Sequence, residues 1–106
     1  MYDENNVFAK IIRGEIPAKK VYEDEKILCF YDVRPMSKIH VLIIPKGKYV
    51  DFSDFAKNAN TEDFMYFFKK IDEIAENLSL KSYKLITNKG EPFQEVFHFH
   101  VHLMDN

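Results

Sequence analysis

Apolar residues recur along this chain with two periods, and the switches between them divide it into elements. Val7, Phe8, Ile11 and Ile12 stand at helical spacing after Asn5 and Asn6, either of which can cap a helix, and Gly14 followed by Pro17 stops it. Residues 19 to 22 and 27 to 31 read as two strands joined by the polar turn Glu23-Asp24-Glu25-Lys26, a hairpin. The second strand is apolar throughout, which predicts a central position in a sheet. A turn through residues 32 to 37 leads to Ile39-His40-Val41-Leu42-Ile43-Ile44, a third strand rich in β-branched residues, closed by Pro45 and Gly47. Residues 48 to 59 show no usable period and read as loop, packed on the core through Phe52 and Phe55. Asn60 or Thr61 caps the longest helix, in which Phe64, Phe67, Phe68, Ile71, Ile74, Ala75 and Leu78 make one apolar stripe. Residues 82 to 87 form the fourth strand and Asn88-Lys89-Gly90-Glu91-Pro92 a turn. The fifth strand carries Phe97-His98-Phe99-His100-Val101-His102-Leu103.

This order of a short helix, three strands, a long helix and two strands predicts an α+β fold. Its five-stranded, mainly antiparallel sheet has the long helix packed against it. A length of 106 residues with 46% hydrophobic content, ten Phe and six Tyr suits one domain with one core. The net charge of −2 supplies no basic patch and gives no support for binding long nucleic acid, while a single nucleotide stays compatible. Lone Cys29 has no intramolecular disulfide partner, and the N-terminus lacks the layout of a signal peptide. Both predict a cytoplasmic protein. No apolar run approaches the roughly 20 residues of a membrane span.

Three of the four histidines fall within five positions of the last strand, alternating with apolar residues. A period of two places the imidazoles on one face, where Thr, Val or Tyr would satisfy a purely structural need better. Bases at i and i+2 stand roughly 6.5–7 Å apart, so the outer pair converges on one metal ion only if the strand bends strongly, and a carboxylate, Cys or further His must then come from elsewhere. Neutral imidazole, with an ordinary pKa of about 6.5, is equally suited to nucleophilic work beside a second imidazole that moves a proton.

The run His98-Phe99-His100-Val101-His102-Leu103 resembles the His-x-His-x-His signature of the histidine triad (HIT) superfamily. Gln94-Glu95-Val96-Phe97 fits the lead-in of its Hint branch, and Phe8-Ala9-Lys10-Ile11-Ile12-Arg13-Gly14-Glu15-Ile16-Pro17-Ala18 is close to that branch's N-terminal motif. The resemblance implies hydrolysis at the α-phosphorus of purine nucleoside phosphoramidates, such as adenylated amines, without metal or organic cofactor. His100 would be the nucleophile and His102 the residue that meets the α-phosphate and assists the leaving group, with His98 and His40 supporting them in a relay behind the nucleophile. Asp32 would hold the ribose hydroxyls, and Phe8, Ile16, Phe30 and Val33 would line the nucleoside pocket. Asn88 and the backbone amide of Glu95 would lie near the scissile phosphate. A homodimer is implied as well, through the long helix and the fourth strand. Dinucleoside polyphosphate hydrolysis and nucleotide binding with little turnover are the alternatives.

Three departures from the family pattern bear on these expectations. Pro92-Phe93 stands where the branch has small residues that let backbone approach phosphate. Asn6, Ala9 and Lys48 occupy three of the four positions of a zinc site found in bacterial relatives, which leaves His98 alone and predicts no structural zinc. The sequence also ends at Met104-Asp105-Asn106, where the family continues into a tail. Leaving-group recognition is then expected to be looser, or to be supplied by another segment.

Overall fold

The computed structural model describes residues 1–105; Asn106, part of the C-terminal expectation above, lies outside them. Five strands, β1 (Lys20–Glu23), β2 (Ile27–Tyr31), β3 (His40–Pro45), β4 (Lys84–Ile86) and β5 (Val101–Met104), form one sheet in the order β1-β2-β3-β5-β4. Every neighbouring pair is antiparallel. Three helices accompany it: α1 (Val7–Ile12), α2 (Phe52–Asn58) and α3 (Thr61–Asn77). This is the α+β architecture that the order of elements predicts.

Register decides which side chains share a face. Phe30 pairs with Leu42 and Leu28 with Ile44, while Leu42 also lies opposite His102. Directly opposed residues of an antiparallel pair project to the same side. Leu28, Phe30, Leu42 and Ile44 therefore face one way, and there they pack on Phe8 and Ile11 of α1. Ile27, Cys29, Val41, Ile43, Val101 and Leu103 face the other, against Phe55 of α2 and Phe67, Ile71, Ile74 and Ala75 of α3.

Local chemistry starts each helix where the sequence allows it. The Asn6 carboxamide oxygen accepts from the Ala9 amide at 2.8 Å, and Asn60 does the same for Asp63 at 2.8 Å. Gly14, with φ of 80°, takes the left-handed turn that ends the first segment. Between β1 and β2 the Asp24 carboxylate accepts from the amides of Lys26 and Ile27 and from the hydroxyls of Tyr22 and Tyr66. Burial, the largest single influence, would raise its pKa, but these donors together bring it down to about 2.

Two stretches differ from the expectation. Residues 48 to 59 are not all loop: Asp51 caps α2 by accepting from the Asp54 amide at 2.9 Å, and Phe55 is fully buried. One turn of apolar spacing between Phe52 and Phe55 is too short a period to read, so the cap and the core contact make this helix. The fifth strand, predicted to hold all three histidines, pairs only over Val101–Met104, so of the three only His102 lies in the ladder. Its partner β3 ends at Pro45, which has no amide to continue the ladder, and the Pro45 carbonyl is taken by the His98 ring. The Phe99 amide donates instead to the Tyr49 carbonyl at 2.7 Å. The fourth strand is shorter than its predicted range of residues 82 to 87, pairing only over Lys84–Ile86.

Candidate active site

The face covered by α1 is closed only in part, and the remainder is a cleft of about 790 Å³. Ten of the eleven residues singled out from the sequence line it: Phe8, Ile16, Phe30, Asp32, Val33, His40, Asn88, Glu95, His100 and His102. The exception is His98, fully buried beneath them. Alternation brings His100 to the cleft even without strand pairing, because Phe99 turns to the opposite side and stacks on Phe55 at 4.8 Å between centroids. Val33 is 92% exposed and stands at the rim, as does Glu95, whose carboxylate lies 3.9 Å from Arg34.

Hydrogen-bond partners fix where each imidazole carries its proton. The His98 carbonyl lies 2.7 Å from His100 Nδ1; a carbonyl only accepts, so Nδ1 bears the hydrogen and the neutral ring keeps its lone pair on Nε2. His40 Nδ1 accepts from the Met36 amide at 3.0 Å, which puts the His40 proton on Nε2. That Nε2 stands 2.9 Å from His102 Nδ1, which accepts and leaves His102 with its own hydrogen on Nε2. The ring centroids of His100 and His102 are 5.1 Å apart. A free imidazole lone pair and an N–H donor are thereby placed side by side.

His40 meets the His102 ring, and His98 meets His100 through its backbone carbonyl, its own ring being bonded to Pro45 and Tyr2. The reason is the register: Leu42 opposite His102 leaves His40 one alternation away on the same face, within reach of the His102 ring.

Burial lowers the pKa of all three triad rings. His98 is pushed down to about 4 by desolvation, against the pull of the Pro45 carbonyl. His102 also falls to about 4, by desolvation first and then by the neighbouring His100 and His40, with Asp32 opposing. Desolvation lowers His100 too, while its bond to the His98 carbonyl and the charges of Asp32 and Glu95 act the other way. The three are neutral near pH 7, the state in which imidazole attacks.

Asp32 divides its carboxylate between two tasks. Oδ1 accepts from the Arg34 amide at 2.9 Å, shaping the turn, while Oδ2 lies 3.4 Å from His40 Nε2 and 4.0 Å from His102 Nδ1. Asp32, His40 and His102 are the group among the described residues whose donors are close enough to hold a metal ion. His40 Nε2 carries the proton of the His40–His102 bond, however, so a cation would have to displace it and turn the ring against the Met36 amide.

Several contributors escaped the sequence reading. Gln94, almost fully buried, accepts from the Gly90 amide at 2.9 Å and donates to the carbonyls of Val50 and Val96, tying down the turn that carries Asn88 and Glu95. Met36 contributes its amide, and Tyr2 bonds His98 across 96 positions of sequence. No local pattern encodes contacts of that kind. Phe93, 69% exposed, forms part of the cleft wall.

The chain matches the HIT domain family over residues 13–106. It is 46% identical to an uncharacterized HIT-like protein of Rickettsia prowazekii, covering 98% of this chain and 89% of that protein. Among solved structures, a HIT family hydrolase from Clostridium thermocellum superposes with a TM-score of 0.83 at 39% identity, covering 96% of this chain and 90% of that one. A histidine triad nucleotide-binding protein from Candida albicans gives 0.82 at 30% identity, covering 93% and 73%. With the family matched along most of its length and the fold matched at this identity, the chain belongs to the HIT family.

Proposed function

We propose that the protein hydrolyses purine nucleoside phosphoramidates at the α-phosphorus through a nucleotidyl-His100 intermediate. The observation that carries this reading is the complementary pair in the cleft, a lone pair on His100 Nε2 beside an N–H on His102 Nε2. Nε2 of His100 attacks phosphorus, the P–N bond breaks, and the amine leaves with a proton. The phosphate's negative charge raises the pKa of the adjacent His102 and makes its imidazolium available as that donor. Water then attacks the nucleotidyl-histidine, giving its proton to neutral His102, and His100 departs with the nucleoside monophosphate released. Asp32 accepts from the ribose hydroxyls, and the apolar wall of Phe8, Ile16 and Phe30 takes the base.

Exposed Phe93 on the cleft wall favours a second reading, in which a second nucleobase stacks there and the substrate is a dinucleoside polyphosphate. A panel of adenylated amines and diadenosine polyphosphates separates the two by their kcat/KM values. Quenching a slow substrate and mapping the adenylated peptide tests the intermediate, and a label on any residue but His100 overturns it. Detectable turnover of either class excludes a module that only binds nucleotide. The assembly proposed with this function is a homodimer, formed over edge strand β4 and α3, where Leu85, Ile86 and Met65 are exposed. A monomer by light scattering at micromolar concentration would count against it.

A further inference from the structure

The ladder between β3 and β5 stops at Val101, so sheet pairing does not set the position of His98 or His100. Other bonds must do so. The His98 ring is fully buried and engaged at both nitrogens. Its Nε2 lies 2.7 Å from the Pro45 carbonyl and therefore donates, which leaves Nδ1 to accept from the Tyr2 hydroxyl at 2.6 Å. The same residue's carbonyl accepts from His100 Nδ1. Anchoring the ring thus anchors the peptide that orients the reacting imidazole.

The segment bearing Tyr2 is itself held in place. Arg13 donates to the Glu4 carbonyl at 2.8 Å, Lys48 lies 3.1 Å from the Glu4 carboxylate, and the Asn6 amide donates to the Asp3 carbonyl at 3.2 Å. Phe8, at the start of α1, packs edge-on against the His100 ring at 5.0 Å and the His98 ring at 6.4 Å. Besides Phe8, the Tyr2 ring also packs edge-on to the His98 ring, at 5.6 Å between centroids.

We propose that Tyr2 is a positioning residue for the nucleophile: its hydroxyl, by fixing the His98 ring, holds the His98 carbonyl where it keeps the His100 lone pair directed into the cleft. This rests on the reading of His100 as nucleophile. Without the hydroxyl, His98 Nδ1 is a buried acceptor with no partner, and the ring and its peptide relax together. The loss should fall on the reaction step, because the ribose and base contacts come from other segments.

Tyr2→Phe removes one oxygen from a partly exposed side chain. We expect a three- to tenfold fall in kcat for an adenylated amine with KM unchanged within twofold. Asn6→Ala is the control, since it weakens the same segment at its helix cap and leaves the hydroxyl in place; its kcat should remain that of the parent. Equal kcat losses in the two variants, or none in Tyr2→Phe, overturn the proposal. A second readout does not depend on turnover: ¹⁵N shifts of the ring nitrogens should show His98 protonated on Nε2 and His100 on Nδ1, with the His100 tautomer ratio altered in Tyr2→Phe and not in Asn6→Ala. An unaltered ratio overturns the proposal even if no nucleotide substrate is turned over, whereas an altered ratio in a protein that hydrolyses nothing upholds the clamp and overturns the enzymatic reading.

Discussion

On the side of the sheet that α2 and α3 cover, Ile43, Val101 and Leu103 meet a layer of rings, with Phe99 stacked on Phe55 at 4.8 Å and Phe67 edge-on to Phe55 at 5.2 Å. On the other side the six-residue α1 covers Leu28, Phe30, Leu42 and Ile44, and the space beyond it stays open as the cleft. Both faces are built from the same alternating strands. They differ in what lies on top: seventeen residues of α3 with a continuous apolar stripe close one face, while α1 is too short to close the other. The buried polar groups gather on the open side, where His40, His98 and His100 each have a hydrogen-bond partner. The closely packed core and the candidate site therefore lie on opposite faces, and substitutions should separate them.

The largest expected separation is between His100→Ala and Phe55→Ala. His100→Ala should lower kcat on the order of a thousandfold or more while nucleotide affinity and melting temperature change little. Phe55→Ala should cost about 3–5 kcal/mol of unfolding free energy, because it opens a cavity at the centre of the ring layer. Steady-state kinetics and denaturant titration on both proteins check the pair. A His100→Ala protein that unfolds, or a Phe55→Ala protein of normal stability, breaks the comparison.

Acid should act through the open face. The folded pKa of His98 and of His102, about 4, lies below the ordinary unfolded value of about 6.5, so the unfolded chain takes up protons first as pH falls. The stability these neutral rings contribute is complete above about pH 6.5 and is lost as pH drops through about 4, a loss of a few kcal/mol in all. Chemical denaturation at a series of pH values reads it directly, and a flat profile across that window refutes the assignment. Because the His100 pKa is lowered as well, activity should persist below pH 6.5, where an ordinary imidazole is already mostly protonated.

Asp32→Asn sharpens the comparison within the cleft itself. Its neutral amide is a poorer acceptor for two ribose hydroxyls, so adenosine nucleotide affinity should fall about tenfold, close to 1.4 kcal/mol, with a smaller change in unfolding free energy. Calorimetric titration with a nucleoside monophosphate measures it. The smallest effect belongs to the closed face: Asn60→Ala removes the α3 cap and should cost about 1 kcal/mol with kcat unaltered. A loss of turnover there would mean that the two faces are coupled.

Periodicity, apolar runs and turn residues together determined that there are five strands and a long helix, and the alternation that separates Phe99 from His98 and His100. These are local properties, because a period of 2 or 3.6 and a capping Asn act within a few positions. The histidine row named the nucleophile candidates for the same reason. Tertiary structure decided everything that depends on a partner far along the chain. Pro45 ends the ladder and takes the His98 ring, Met36 sets the His40 proton and through it the His102 donor, and Tyr2 reaches His98 from the other end of the sequence. It also made α2 a helix, since seven residues have too few internal bonds to fold without the Phe55 contact. A hydrogen bond is short-ranged in space and indifferent to sequence separation, so which nitrogen of which imidazole bears the proton became legible only once the chain had folded.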